Sequence, residues 1–194
     1  IIMKRLYILL VVLLAANNIY AQTIDALKRW AEQNPANIEL QSEHFAQKNL
    51  TADEAKNASA LLELQWREQM KQLYKEALEN EVFKRGKLQM KFKAITYGEK
   101  PSDGRSLYIS MHGGGATHKR VNDQQWDNQI RLYKPEEGVY VAPRAPWNDW
   151  NMWFKPKLDE LFEMLIEYAV SNLGVKPDKV YLLGYSAGGD GVWR

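Results

Sequence analysis

The pattern of apolar and polar positions changes period along this chain, and each change marks an element. A first apolar run, Leu6 to Ala16, follows Lys4 and Arg5 and leads into a polar stretch that ends at Ala21. It is shorter than the roughly 20 residues that cross a bilayer and no basic cluster follows it, so residues 1–21 read as a secretory signal peptide cleaved near Ala21; a membrane anchor is the alternative, because Ile19 is bulkier than the small residue an Ala-x-Ala site prefers there. A short helical candidate, Ile24 to Gln33, stops before Pro35. Thr51-Ala52-Asp53-Glu54 then has the form of a capping box, with Thr51 and Glu54 each satisfying the other's backbone N–H. Ala58, Leu62, Trp66, Met70, Leu73 and Ala77 recur at helical spacing, which predicts one long helix from Thr51 to about Arg85.

From Leu88 the period becomes two. Leu88, Met90, Phe92 and Ala94 alternate with polar residues, as in a half-buried strand, and Lys100 to Gly104 makes a turn. Three apolar runs rich in β-formers follow: Leu107 to Met111, Val139 to Ala142 and Val180 to Leu183. Their continuous hydrophobicity suits strands covered on both faces. Between the last two, Leu158, Leu161, Phe162, Leu165, Ile166 and Ala169 form a helical stripe opened by Pro156 and closed by Gly174 and Pro177. Strand, helix and strand imply a parallel pair joined by a right-handed crossover. The expected class is α/β, organised as a signal peptide over 1–21, a helical region over 22–86 and a catalytic region over 87–194.

Composition narrows the function classes. With 45% hydrophobic and 26% charged residues the chain belongs with globular proteins that bury one principal core. The net charge is +2, and Lys and Arg are interspersed with Asp and Glu, so no basic stripe exists to follow nucleic acid. The chain has no cysteine, which excludes disulfides, thiolate metal sites, a Cys nucleophile and a lipidated anchor. The Asn49-Leu50-Thr51 and Asn57-Ala58-Ser59 triplets match glycosylation acceptors, but capping accounts better for Thr51.

The chemistry concentrates after two of the predicted strands. Gly184-Tyr185-Ser186-Ala187-Gly188-Gly189 follows the Val180 run and matches the G-x-S-x-G nucleophile elbow, whose sharp turn leaves room only for glycine on either side of the serine. Ser186 is the candidate nucleophile. His112-Gly113-Gly114-Gly115 follows the Leu107 run; the amides of Gly113, Gly114 and Gly115, with that of Ala187, are candidate oxyanion donors, and His112 is a loop-positioning residue. His118 stands where a dinucleotide fingerprint needs its third glycine and no phosphate-binding G-x-x-x-x-G-K-[ST] occurs, so no cofactor is expected. His112 and His118 lack a further local ligand for a metal. Asp190 reads as a charge favouring the N-terminus of the next helix, not as a triad acid. The aromatic run Trp147 to Phe154 follows the Val139 strand; Trp147 and Trp150 are candidate substrate-contacting rim residues, with internal packing the equal alternative.

From Ser106 to Trp193 the two motifs, together with Asn122-Asp123-Gln124-Gln125-Trp126 and Val141-Ala142-Pro143-Arg144, resemble the bacterial phospholipase/carboxylesterase-like branch of the α/β-hydrolases. The similarity extends more loosely to polyhydroxybutyrate-depolymerase-like and feruloyl-type esterases. It implies a doubly wound, mostly parallel sheet and a periplasmic or secreted serine esterase acting on a small or polymeric ester, with a peptidase or a non-catalytic ligand-binding protein as alternatives. In that family the triad acid and base follow the serine, whereas His44, His112 and His118 all precede Ser186. The resemblance therefore implies an N-terminal fragment, inactive alone, whose acid and His lie beyond Arg194.

Overall fold

The computed structural model describes residues 24–30, 32–33 and 49–194. The signal-peptide expectation for 1–21 and His44 fall outside the described residues. No described helix is long and apolar enough to cross a membrane. The chain divides into two units, Ile1–Gln69 and Met70–Arg194. That division falls inside a helix and not after Gly86, where the sequence pattern changes.

In the first unit, residues 24–30 are helical (α1), and Leu27 and Trp30 pack with Ala58, flanked by Ile24, Leu61 and Leu62. Ala58 lies on Ala52–Leu73 (α2), whose start is the expected capping box: the Thr51 amide donates to Glu54 Oε2 at 2.6 Å and the Glu54 amide to Thr51 Oγ1 at 3.4 Å. Those bonds favour the carboxylate and hold Glu54 below its ordinary range.

The single helix expected through Arg85 is interrupted. Tyr74 departs from helical geometry, Lys75–Asn80 forms a short helix (α3), and Glu81 takes a left-handed conformation at φ 53°. Val82–Arg85 is then a strand (β1), turned back at Gly86 onto Leu88–Tyr97 (β2). Burial selects the strand: Phe83 is fully buried, stacked on Phe92 at 4.6 Å and edge-on to Tyr74 and Tyr168.

Arg105–Met111 (β3), Gly138–Pro143 (β4) and Val175–Gly184 (β5) complete a five-stranded sheet in the order β1-β2-β4-β3-β5. β3 lies parallel to β4 and to β5, but β1 with β2 and β2 with β4 are antiparallel. The sheet is mixed, which overturns the expected doubly wound, mostly parallel α/β-hydrolase sheet. For β1 and β2 the reason is local: Arg85 pairs with Leu88 across a tight turn, and so short a connection permits only an antiparallel partner. β5 begins five residues earlier than its apolar run, and the register shift between Arg105 and Leu107 accommodates Pro177 as an irregularity.

Two helices pack on the sheet, Lys119–Ile130 (α4) on the central strands β3 and β4 and Leu158–Asn172 (α5) on the edge strands β1 and β5. α4 is tied to its strands through Trp126 Nε1, which donates to Ala142 O at 2.9 Å, and Gln129 Nε2, which donates to Ser110 Oγ at 2.7 Å. α5 buries Leu158, Leu161, Leu165 and Ala169 as its periodicity predicts, plus Tyr168 against the Phe83–Phe92 pair. Ala187–Val192 (α6) follows β5 directly.

Candidate active site

Three parallel strands, β3, β4 and β5, end side by side, and the candidate residues lie just past those ends. Between β5 and α6 only Tyr185 and Ser186 intervene. Ser186 adopts φ 54° and ψ −119°, a conformation that side-chain-bearing residues rarely occupy and that turns the serine out of the strand. Ser186 is exposed, while Ala187 and Gly188 behind it are buried.

The glycines on either side answer to contacts. A Cβ on Gly184 would lie 2.1 Å from Gly188 O, and one on Gly188 would lie 2.1 Å from Met111 O. The Tyr185 amide also donates to Met111 O, at 3.2 Å, so the end of β3 is the seat of the turn. The same approach brings the next loop to the serine: a Cβ on Gly113 would lie 3.2 Å from Ser186 Cβ. Sequence positions 113 and 186 are thus brought into contact.

His112 is fully buried and stands edge-on to Trp153 at 5.0 Å. The Ala145 amide donates to its Nε2 at 3.1 Å, which leaves the proton on Nδ1, 2.7 Å from Gly113 O. Burial, reinforced by the Arg144 charge and opposed by the Gly113 carbonyl and Asp123, lowers its pKa to about 4. A neutral imidazole with both nitrogens engaged is no proton acceptor for Ser186. Its service is to fix the Gly113 carbonyl, and because the peptide is planar and trans the Gly114 N–H then points away from the imidazole. Trp153 Nε1 locks the same residue from the other side by donating to His112 O at 2.8 Å.

The three loop glycines are not equivalent. The Gly115 amide donates to Asn122 Oδ1 at 2.8 Å, so Gly115 anchors the loop and leaves the set of oxyanion donors expected from the sequence. Among the described residues, the amides of Gly113, Gly114 and Ala187 make no hydrogen bond within the chain. Of these, Gly113 lies against Ser186, Gly114 follows Gly113, and Ala187 follows Ser186.

Asn122 and Arg144 are structural partners of this loop to which sequence spacing alone gave no role. Asn122 is fully buried and donates through Nδ2 to Asn148 Oδ1 at 3.1 Å and Thr117 O at 3.4 Å. Arg144 donates through Nη2 to Asn148 Oδ1 at 2.5 Å, through Nη1 to Ala145 O at 2.5 Å and Trp147 O at 3.2 Å, and through Nε to Asp123 Oδ1 at 3.0 Å. The only sequence hint was that Asn122 and Arg144 fell within the stretches that carry the resemblance.

Trp150 is 65% exposed with its ring edge-on to Phe154, and its backbone lies against the loop, since a Cβ on Gly115 would come 3.2 Å from Trp150 Cα. Trp147 is half-buried under Lys155, whose Nζ sits 5.2 Å from the ring centre. His118 is exposed at the start of α4, and Asp190 lies one turn into α6, its amide donating to Ser186 O at 3.2 Å. Among the described residues no group of three or more His, Asp or Glu is placed to hold a metal ion. Two cavities of about 450 and about 300 Å³ lie away from Ser186, the first beside Tyr74 and Glu167, the second beside Lys119 and Arg144. Comparison of the chain with protein-family models, with curated proteins and with solved structures returns no match.

Proposed function

We propose that this chain carries the nucleophile and the oxyanion loop of an exported serine hydrolase that cleaves carboxylic esters by acyl transfer. The observation that supports the reading most is the Ser186 backbone, held at φ 54° between two glycines that admit no side chain, with the Gly113 loop against it. Ser186 Oγ attacks the ester carbonyl, and the carbonyl oxygen gains negative charge as the tetrahedral intermediate forms. The free amides of Gly113 or Gly114 and of Ala187 donate to that oxygen without reorganising, because each belongs to backbone already fixed. Loss of the alcohol leaves an acyl-Ser186, which water hydrolyses. The proton that leaves Ser186 needs an acceptor that the described residues do not supply, so a base from outside them completes the mechanism. An ester is favoured over an amide by the resemblance of the His112–Gly115 loop to that of esterases, and export by the residue order of 1–21.

The test is turnover of short-chain p-nitrophenyl esters and of peptide anilides by the intact protein, with Ser186→Ala alongside. Esters are expected to turn over, with a loss of about a thousandfold or more in the variant. A fluorophosphonate should phosphonylate Ser186 alone, its oxygen displacing fluoride, so that the adduct carries the mass of the reagent less HF. Turnover that survives Ser186→Ala rejects the reading. A well-folded intact protein that neither turns over nor labels points to a ligand-binding scaffold.

A further inference from the structure

The hydrogen bonds around the oxyanion loop form two arms that meet at one side chain. In the first, His112 Nδ1 holds Gly113 O and His112 Nε2 is held by the Ala145 amide. In the second, Asn122 Oδ1 holds the Gly115 amide and Asn122 Nδ2 is held by Asn148. Ala145 and Asn148 belong to the segment after β4, and Arg144 binds both of them, through Ala145 O and Asn148 Oδ1. The guanidinium is almost fully buried, and its charge is answered by Asp123, which neighbours Asn122 on α4.

We infer that Arg144 is the positioning residue of the oxyanion loop: its planar fork fixes Ala145 and Asn148 in one frame, and through them both ends of the Gly113–Gly115 segment. Five N–H donors in a rigid plane suit a task that requires four separate acceptors at fixed angles. A lysine keeps the charge and loses the fork. Gly114 shows how tight the frame is, because a Cβ there would lie 2.2 Å from Asn122 Oδ1. Arg144 touches no reacting atom in this scheme; it acts through the loop. The inference rests on the reading of Ser186 as a nucleophile.

In the intact protein, Arg144→Lys and Asn122→Ala are each expected to lower kcat on a p-nitrophenyl ester by about 10- to 100-fold, with KM within about threefold, because the loop serves the transition state and not substrate binding. The double variant should fall little below the worse single one, as for residues acting through one unit. Amide hydrogen exchange across residues 112–115 should quicken in both. Lys84→Ala, remote from this network, should change none of these. If Arg144→Lys fails to fold, Asn148→Ala removes the shared acceptor and must show the same fall in kcat. Unchanged kcat and exchange in folded variants, or a change confined to KM, overturns the role of Arg144 and leaves the nucleophile standing. An intact wild-type protein with no Ser186-dependent turnover overturns the hydrolase reading itself, and this inference with it.

Discussion

At the scale of single residues, what was legible was what backbone geometry demands. Gly184 and Gly188 flank Ser186 in the sequence as an elbow requires, and both stand where a Cβ would meet backbone at 2.1 Å. Gly189, the next residue, looks the same in the sequence and differs in space: a Cβ there would find only Gly184 O, at 3.7 Å. Gly188→Ala should therefore overpack the seat of the turn and cost about 1–3 kcal/mol or more. Gly189→Ala, within α6, should be neutral or stabilise by up to about 1 kcal/mol, by replacing the poorest ordinary helix former with the best. Urea denaturation of the two variants separates the cases, and equal destabilisation by both would mean that the turn is not seated on Met111 as described. The roles of Asn122, Asn148 and Arg144 were illegible for the opposite reason. A polar side chain in a loop reads as solvated unless its partner is known, and here the partners lie up to 26 positions apart.

Among elements, periodicity located all but one strand of the sheet and the helix α5, and misplaced the junction between helix and sheet. The stripe through Leu73 and Ala77 continues at helical spacing, and nothing local announces a break at Tyr74. What ends the helix is tertiary. Tyr74 donates to Glu167 on α5, and burial together with that carboxylate raises its hydroxyl pKa above the ordinary range. Phe83 gains three aromatic neighbours only as a strand residue. Leu73, within the predicted stripe, is 64% exposed. Phe83→Ala should then cost about 3–5 kcal/mol as a core truncation, whereas Leu73→Ala should stay within about 0.5 kcal/mol. Were the helix continuous, Leu73 would share the buried face and the ranking would narrow or invert; the same denaturation series decides it.

For the whole molecule, strand order was the least legible property, since it depends on which distant segments share a face. The alternation of Met90 and Phe92 was a clue that β2 is a half-covered strand of antiparallel type, in contrast to the continuous apolar runs of β3 and β4. The consequence of the order is that β3, β4 and β5 deliver their ends to one place, and His112 is the residue on which these segments converge. It bonds the segment after β4 through Ala145 and receives Trp153, which precedes α5. Protonating its Nε2 would break the bond from Ala145 and put an unpaired charge in a dry site beside Arg144. Its pKa falls from an ordinary 6.5 to about 4, so between those values the unfolded chain binds a proton that the native state does not. The stability tied to this group is therefore fully present above pH 6.5, declines as the pH falls toward 4, and is lost below that. At 1.36 kcal/mol per pH unit of displacement the loss is of the order of 3 kcal/mol, enough to lower the melting temperature by several degrees. Replacing the ring with an uncharged amide, as in His112→Gln, should lower stability at pH 7 and flatten the profile between pH 6.5 and 4, so that wild type and variant converge as the solution is acidified. Parallel profiles would mean that His112 takes up its proton in the native state as readily as in the unfolded one, and that its bonds to Gly113 and Ala145 do not hold the strand ends together.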